Sequence, residues 1–122
     1  MKLKLPERRR FIRIEVPLRV KIESGSIQKE VVTKNISPVG MRFETDEELD
    51  KSQKLDLSLF IPVSEEPVHL KGKVIWQTKT SLEDDAPFDV GVEIAEVEDK
   101  HKNLLLKYLC DLLYNSSYKI RS

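Results

Sequence analysis

From residue 11 to residue 95 the apolar side chains recur mostly at every second position, and from residue 97 onward they recur at every third and fourth. This change of period constrains the fold most strongly, because period two belongs to a half-buried strand and period 3.6 to an amphipathic helix. Phe11 to Ile22 alternates through Ile12, Ile14, Val16, Leu18, Val20 and Ile22, with Pro17 marking an edge position or a local break. Ser24-Gly25-Ser26 reads as a turn and Ile27 to Ile36 as the returning strand of a hairpin. Met41 to Thr45, Lys54 to Ile61, Val68 to Thr78 and Phe88 to Ala95 supply four more strands, the last two in imperfect register, with Trp76 as a core residue. Six strands at this spacing predict a mostly β domain closed, or nearly closed, into an antiparallel barrel, since closure removes exposed edges. Val97, His101, Leu104, Leu105, Tyr108, Leu109, Leu112 and Leu113 then predict a C-terminal helix over about Glu98 to Tyr114, its acidic first turn suiting the positive end of the helix dipole. The apolar stripe must cover an open face of the barrel or a second subunit. Ser116 to Ser122 reads as a frayed tail.

Length and composition narrow the class further. A chain of 122 residues has room for one domain with one modest core, and 39% hydrophobic residues are too many for a disordered chain. No run of 18 or more apolar residues exists, and the basic N-terminus has no apolar stretch behind it, so neither a membrane span nor a secretory signal is expected and the default location is cytoplasmic. The lone Cys110 excludes an internal disulfide and a cysteine-based metal site, and its place in an apolar helical pattern predicts a small buried side chain.

The formal net charge is zero, yet Lys2, Lys4, Arg8, Arg9, Arg10 and Arg13 make the first segment strongly basic, with compensating acids at Glu44 to Asp50 and Glu83 to Asp99. One basic arm on a neutral body suits a small, localised anion better than an extended nucleic acid. If the arm is extended, Arg9 and Arg13 share one side, about 13 Å apart at roughly 3.3 Å per residue. Some twenty residues further on, Asn35-Ile36-Ser37-Pro38-Val39-Gly40 ends a strand in a turn. Proline at its second position and glycine at its fourth are type I preferences. Taken separately, the arginines read equally well as a solvated arm, and Asn35 to Gly40 reads more readily as a plain turn than as a site.

Taken together, in this order and at this separation, the two segments resemble the RxxxR and [D/N]xSxxG motifs of the PilZ domain family, bacterial receptors for cyclic di-GMP. Arg9 and Arg13 match the first motif, with Arg8 the extra arginine before it; Asn35, Ser37 and Gly40 match the second. The resemblance extends over nearly the whole chain, since PilZ domains are six-stranded barrels with a C-terminal helix. It implies a basic arm over 1–13, a PilZ barrel with its helix over 14–115 and a tail over 116–122. It also implies that the arginines grip phosphate and guanine, that Asn35 meets a guanine edge, that Ser37 donates to guanine or phosphate, and that Gly40 keeps the turn open. Arginine suits such a ligand because its planar guanidinium binds phosphate bidentately, stacks on purines and donates two parallel bonds to guanine O6 and N7. Asparagine stands where aspartate is commoner in the family, forfeiting one charge-assisted bond, an effect on the order of 1 kcal/mol. Arginine at position 8 resembles the type that binds a stacked pair of ligands, which implies two cyclic di-GMP molecules per chain. The function implied is a receptor that changes conformation on binding and signals to an unidentified effector protein.

Enzymatic chemistry has little support in the residues. His69 and His101 lack metal-site spacing and read as surface or helix-packing side chains, Asp84-Asp85 reads as a solvated loop, and no phosphate loop, nucleophile elbow or catalytic cysteine context is present. The alternative is a PilZ-like adaptor that no longer binds nucleotide and works through protein contacts. A third reading, a barrel binding single-stranded nucleic acid, needs aromatics interleaved with positive charge, and only Phe11 adjoins the arginines.

Overall fold

The computed structural model describes residues 12–114 and the backbone of 119–121. Eight strands run in the order β1 (Arg13–Glu15), β2 (Arg19–Ser24), β3 (Ile27–Ser37), β4 (Gly40–Thr45), β5 (Lys54–Leu59), β6 (Val68–Lys79), β7 (Phe88–Val97) and, after helix α1 (Asp99–Tyr114), β8 (Lys119–Arg121). All pairings are antiparallel. Neighbours follow the order β2-β5-β6-β7-β4-β3, and the β2–β3 hairpin closes this circle into a six-stranded barrel. The hairpin turns on Gly25, whose φ of 62° is the left-handed conformation that glycine adopts without strain.

The segment expected as one strand from residue 11 to 22 is two. β1 and β2 lie along the same edge of β3, with Ile14 opposite Ile36 and Arg19 opposite Val32, so the register slips by one residue across Val16-Pro17-Leu18. Pro17 has no N–H to lose from the ladder at this point. The break is fastened from β3: Thr33 Oγ1 donates to the Val16 carbonyl at 2.6 Å and accepts from the Leu18 N–H at 3.0 Å, while the Thr33 N–H donates to the Leu18 carbonyl at 2.9 Å. All three residues are buried. Beyond the break β1 leaves the barrel and takes β8 as its other partner, so part of the tail expected to fray is a strand instead.

Inward-facing residues fill the barrel. Phe43, Val20, Leu59, Val68 and Val90 are fully buried at its centre. α1 covers the barrel where β1 and β6 present themselves, burying Leu105, Tyr108, Leu109 and Leu112 within the chain itself. Cys110 lies off this stripe and is exposed, contrary to the expectation of a buried side chain. Trp76 also departs from its expected place. Register shifts in the β6–β7 pairing between Val74 and Trp76, which leaves Val74 inside and turns Trp76 to the outer surface, 36% exposed. No helix among the described residues is long and apolar enough to cross a membrane.

Candidate functional site

The strand registers define rows across the outer surface of β1, β3, β4, β7 and β6. In one row Ser37 lies opposite Gly40, Gly40 opposite Glu93, and Glu93 opposite Lys73. In the next, Asn35 lies opposite Arg42, Arg42 opposite Gly91, and Gly91 opposite Trp76. On the other edge of β3 the Ile14–Ile36 pair sets Arg13 alongside Ser37 and Glu15 alongside Asn35. Between the two rows runs a buried one, Ile14, Ile36, Met41, Val92 and Val74, which belongs to the core. Arg13, Asn35, Ser37 and Gly40 therefore share one patch. Arg8 and Arg9 lie outside the described residues.

Each of these side chains is placed by local structure. A bulge in β3 between Thr33 and Asn35 sets Asn35 in register with Arg42 on the outer face, while Thr33 points inward. Asn35 is nonetheless 2% exposed, and its Oδ1 has no hydrogen-bond partner among the described residues. A buried acceptor left unsatisfied costs about 1–3 kcal/mol, so its presence asks for a purpose. Ser37 accepts the Val39 N–H at 3.2 Å, closing the turn on itself, and the Val39 carbonyl accepts the Ile94 N–H at 2.9 Å, tying the turn to β7. Neither Pro38 nor Val39 has a positive φ, in keeping with the type I turn expected from Pro38. Gly40 is already in β4, and a Cβ there would lie 2.9 Å from the Val92 carbonyl oxygen, so the close approach of two backbones is what requires glycine.

The same face carries an ion pair that the motifs do not include. Arg42 Nε lies 2.9 Å and 3.1 Å from the two Asp89 carboxylate oxygens, and Nη2 lies 2.5 Å from Oδ2. Lys34 stands 2.7 Å from Glu44 and 3.9 Å from Asp89. Hydrogen bonds from Arg42 hold the Asp89 carboxyl below its usual value against the opposing effect of burial, and the charges of Arg42 and Lys34 add to the shift. The Arg42 guanidinium, 5.9 Å from the centre of the Trp76 ring, stays charged throughout. The indole in turn rests against Gly91, where any side chain would collide with it.

A carboxyl whose folded-state pKa is depressed contributes stability that is present above its unfolded value and lost as the pH falls through the folded one. The unfolded chain binds the proton first in this window, so the effect lies below about pH 4. Acid unfolding followed by circular dichroism should show the unsubstituted protein losing stability more steeply there than Asp89→Asn; parallel curves would remove Asp89 from the account.

Arg42, Asp89 and Trp76 were not singled out from the sequence as site residues. For Arg42 a signal existed: a lone charge between Met41 and Phe43 must face away from the core that those two enter. Among the described residues no group of three or more His, Cys, Asp or Glu side chains could hold a metal ion.

The model of the PilZ domain matches residues 7–110, and the chain belongs to that family. Solved structures agree in fold. The Bacillus subtilis inhibitor of motility, MotI (DgrA), superposes with a TM-score of 0.73 at 16% identity over 96% of this chain and 54% of its own. The PilZ domain of YcgR from Escherichia coli, solved with c-di-GMP, gives 0.67 at 13% identity over 89% and 94%. PlzA of Borreliella burgdorferi, in complex with c-di-GMP, gives 0.58 at 14% identity over 90% and 54%. The chain thus spans about half the length of MotI and PlzA and nearly the whole of the YcgR domain. No curated protein sequence matches it significantly.

Proposed function

We propose that this chain is a cytoplasmic receptor for cyclic di-GMP rather than an enzyme, built from Arg8 and Arg9 of the arm with Arg13, Asn35, Ser37 and Gly40 of the barrel. The observation that carries the reading is the buried Oδ1 of Asn35, which has no hydrogen-bond partner among the described residues and lies on the next outer row from Ser37 and Gly40, beside the strand that brings Arg13. A guanine supplies what that oxygen lacks, because its Watson–Crick edge carries two N–H donor groups. Membership of the PilZ family and the cyclic di-GMP complexes of YcgR and PlzA support the same ligand.

The ligand would bridge the arm to the barrel face, neutralising phosphate charge with arginines on one side and pairing a guanine on the other. Such a bridge changes the surface around β1, and the changed surface is what an effector protein would read. Arg8 supports two ligands per chain. An isothermal titration is expected to saturate at two cyclic di-GMP molecules per chain; saturation at one removes the pair. An absence of any binding by folded protein moves the function to a nucleotide-independent adaptor.

A further inference from the structure

We infer that Arg42 is a guanine-reading residue of this site, with Asp89 its positioning residue; the inference rests on the receptor reading above. Two observations meet here. Arg42 is the direct ladder partner of Asn35, whose buried Oδ1 is an acceptor unused among the described residues. Asp89 engages Arg42 through Nε and Nη2, so one side of the guanidinium is occupied and its orientation is fixed. The adjacent end of the guanidinium, formed by Nη1 and the second hydrogen of Nη2, carries two parallel N–H donors that the contacts with Asp89 do not use.

An acceptor next to a donor fork matches the contiguous edge of guanine, where the N1 and N2 hydrogens lie beside O6 and N7. Asn35 Oδ1 would accept from the donor end and the Arg42 fork would donate to the acceptor end. Adenine offers the reverse at its six position, an amino donor in place of the O6 acceptor, and meets the fork with one hydrogen bond at most. Arg42 is therefore specificity-determining. Its side chain is 26% exposed and that of Asp89 14%, so the pair is fixed in place yet open to a ligand on one side. Trp76 walls the far side of Arg42 and is the chain's single tryptophan, so its fluorescence reports on this position alone.

The test compares cyclic di-GMP with cyclic di-AMP by titration of tryptophan fluorescence and by calorimetry, on the unsubstituted protein, Arg42→Lys and Asp89→Asn. Lysine keeps the charge but loses the fork. Arg42→Lys is expected to bind cyclic di-GMP at least about tenfold more weakly and to lose at least about tenfold of its preference over cyclic di-AMP. Asp89→Asn should lose less of both. Arg42→Gln, whose amide still donates to Asp89, is the second variant should Arg42→Lys fold poorly. A structural role would weaken both dinucleotides alike and leave the preference intact, and that result, or an unchanged affinity, overturns the assignment. Failure of the unsubstituted protein to bind cyclic di-GMP overturns it together with the receptor reading.

Discussion

Replacing Thr33 by valine is expected to destabilise the protein by about 2–4 kcal/mol, although the two side chains have nearly the same shape. The hydroxyl makes two buried hydrogen bonds, to the Val16 carbonyl and from the Leu18 N–H, and valine leaves both backbone groups buried without partners. Each such group costs about 1–3 kcal/mol, against a total stability of about 5–15 kcal/mol for a domain of this kind. Urea unfolding should show the midpoint falling with little change in slope, because the surface exposed on unfolding is unchanged. Thr33→Ser keeps the hydroxyl and should lose only about 1 kcal/mol for the missing methyl. Equal losses in the two variants would contradict the role given to the hydroxyl. The effect should also reach the proposed site: Thr33 fixes the break after which β1 departs, and β1 carries Arg13 to its place beside Ser37. A valine variant that still folds should therefore bind ligand more weakly.

Gly40→Ala should cost about 1–3 kcal/mol, the range for forcing an extra methyl into a packed site. The added carbon would sit 2.9 Å from the Val92 carbonyl oxygen, and that oxygen belongs to a strand paired on both sides, so β4 must yield instead. Gly40 is also the ladder partner of Ser37. Any displacement of β4 shifts the turn and carries Ser37 out of line with Asn35 and Arg13, so ligand affinity should fall along with stability. The expectation from the family motif, that glycine keeps the turn open, predicts a different result: weaker binding at unchanged stability. Thermal unfolding of the alanine variant alongside a binding titration separates the two.

The β-barrel and its helix were legible because burial imposes the period of each element on the sequence. Leu55, Leu57 and Leu59 all enter the core, as their spacing requires, and His101, Leu105, Tyr108, Leu109 and Leu112 form one buried helical stripe. What was not legible depends on partners distant in the chain. Pro17 announced a disturbance, but only Thr33, sixteen positions later, decides that it is a bulge along one edge of β3. Trp76 continues the alternation through Leu70 and Val74, yet a bulge against β7 turns it outward. Lys119–Arg121 is three residues long, too short for a period to show, and the strand it pairs with lies at the other end of the chain. The second motif was read correctly as a strand running into a turn, whereas the orphaned oxygen of Asn35 and the Arg42–Asp89 pair arise from register between strands.

Charge on the face proposed to bind ligand also matters. Lys34, Arg42, Glu44 and Asp89 neutralise one another across β3, β4 and β7, so this part of the barrel supplies hydrogen-bonding geometry with little net field. Attraction for a dianion must then come from the arm and Arg13, which is why losing arginines there should abolish binding while changes at Arg42 alter selectivity.

The central claim is tested most directly by calorimetric titration of cyclic di-GMP into the unsubstituted protein and into the Arg9→Ala, Arg13→Ala double variant, with GMP as control. The receptor account predicts micromolar or tighter binding of cyclic di-GMP that disappears in the double variant and is not reproduced by GMP. Folded, unsubstituted protein that gives neither heat nor a thermal shift with cyclic di-GMP would contradict it.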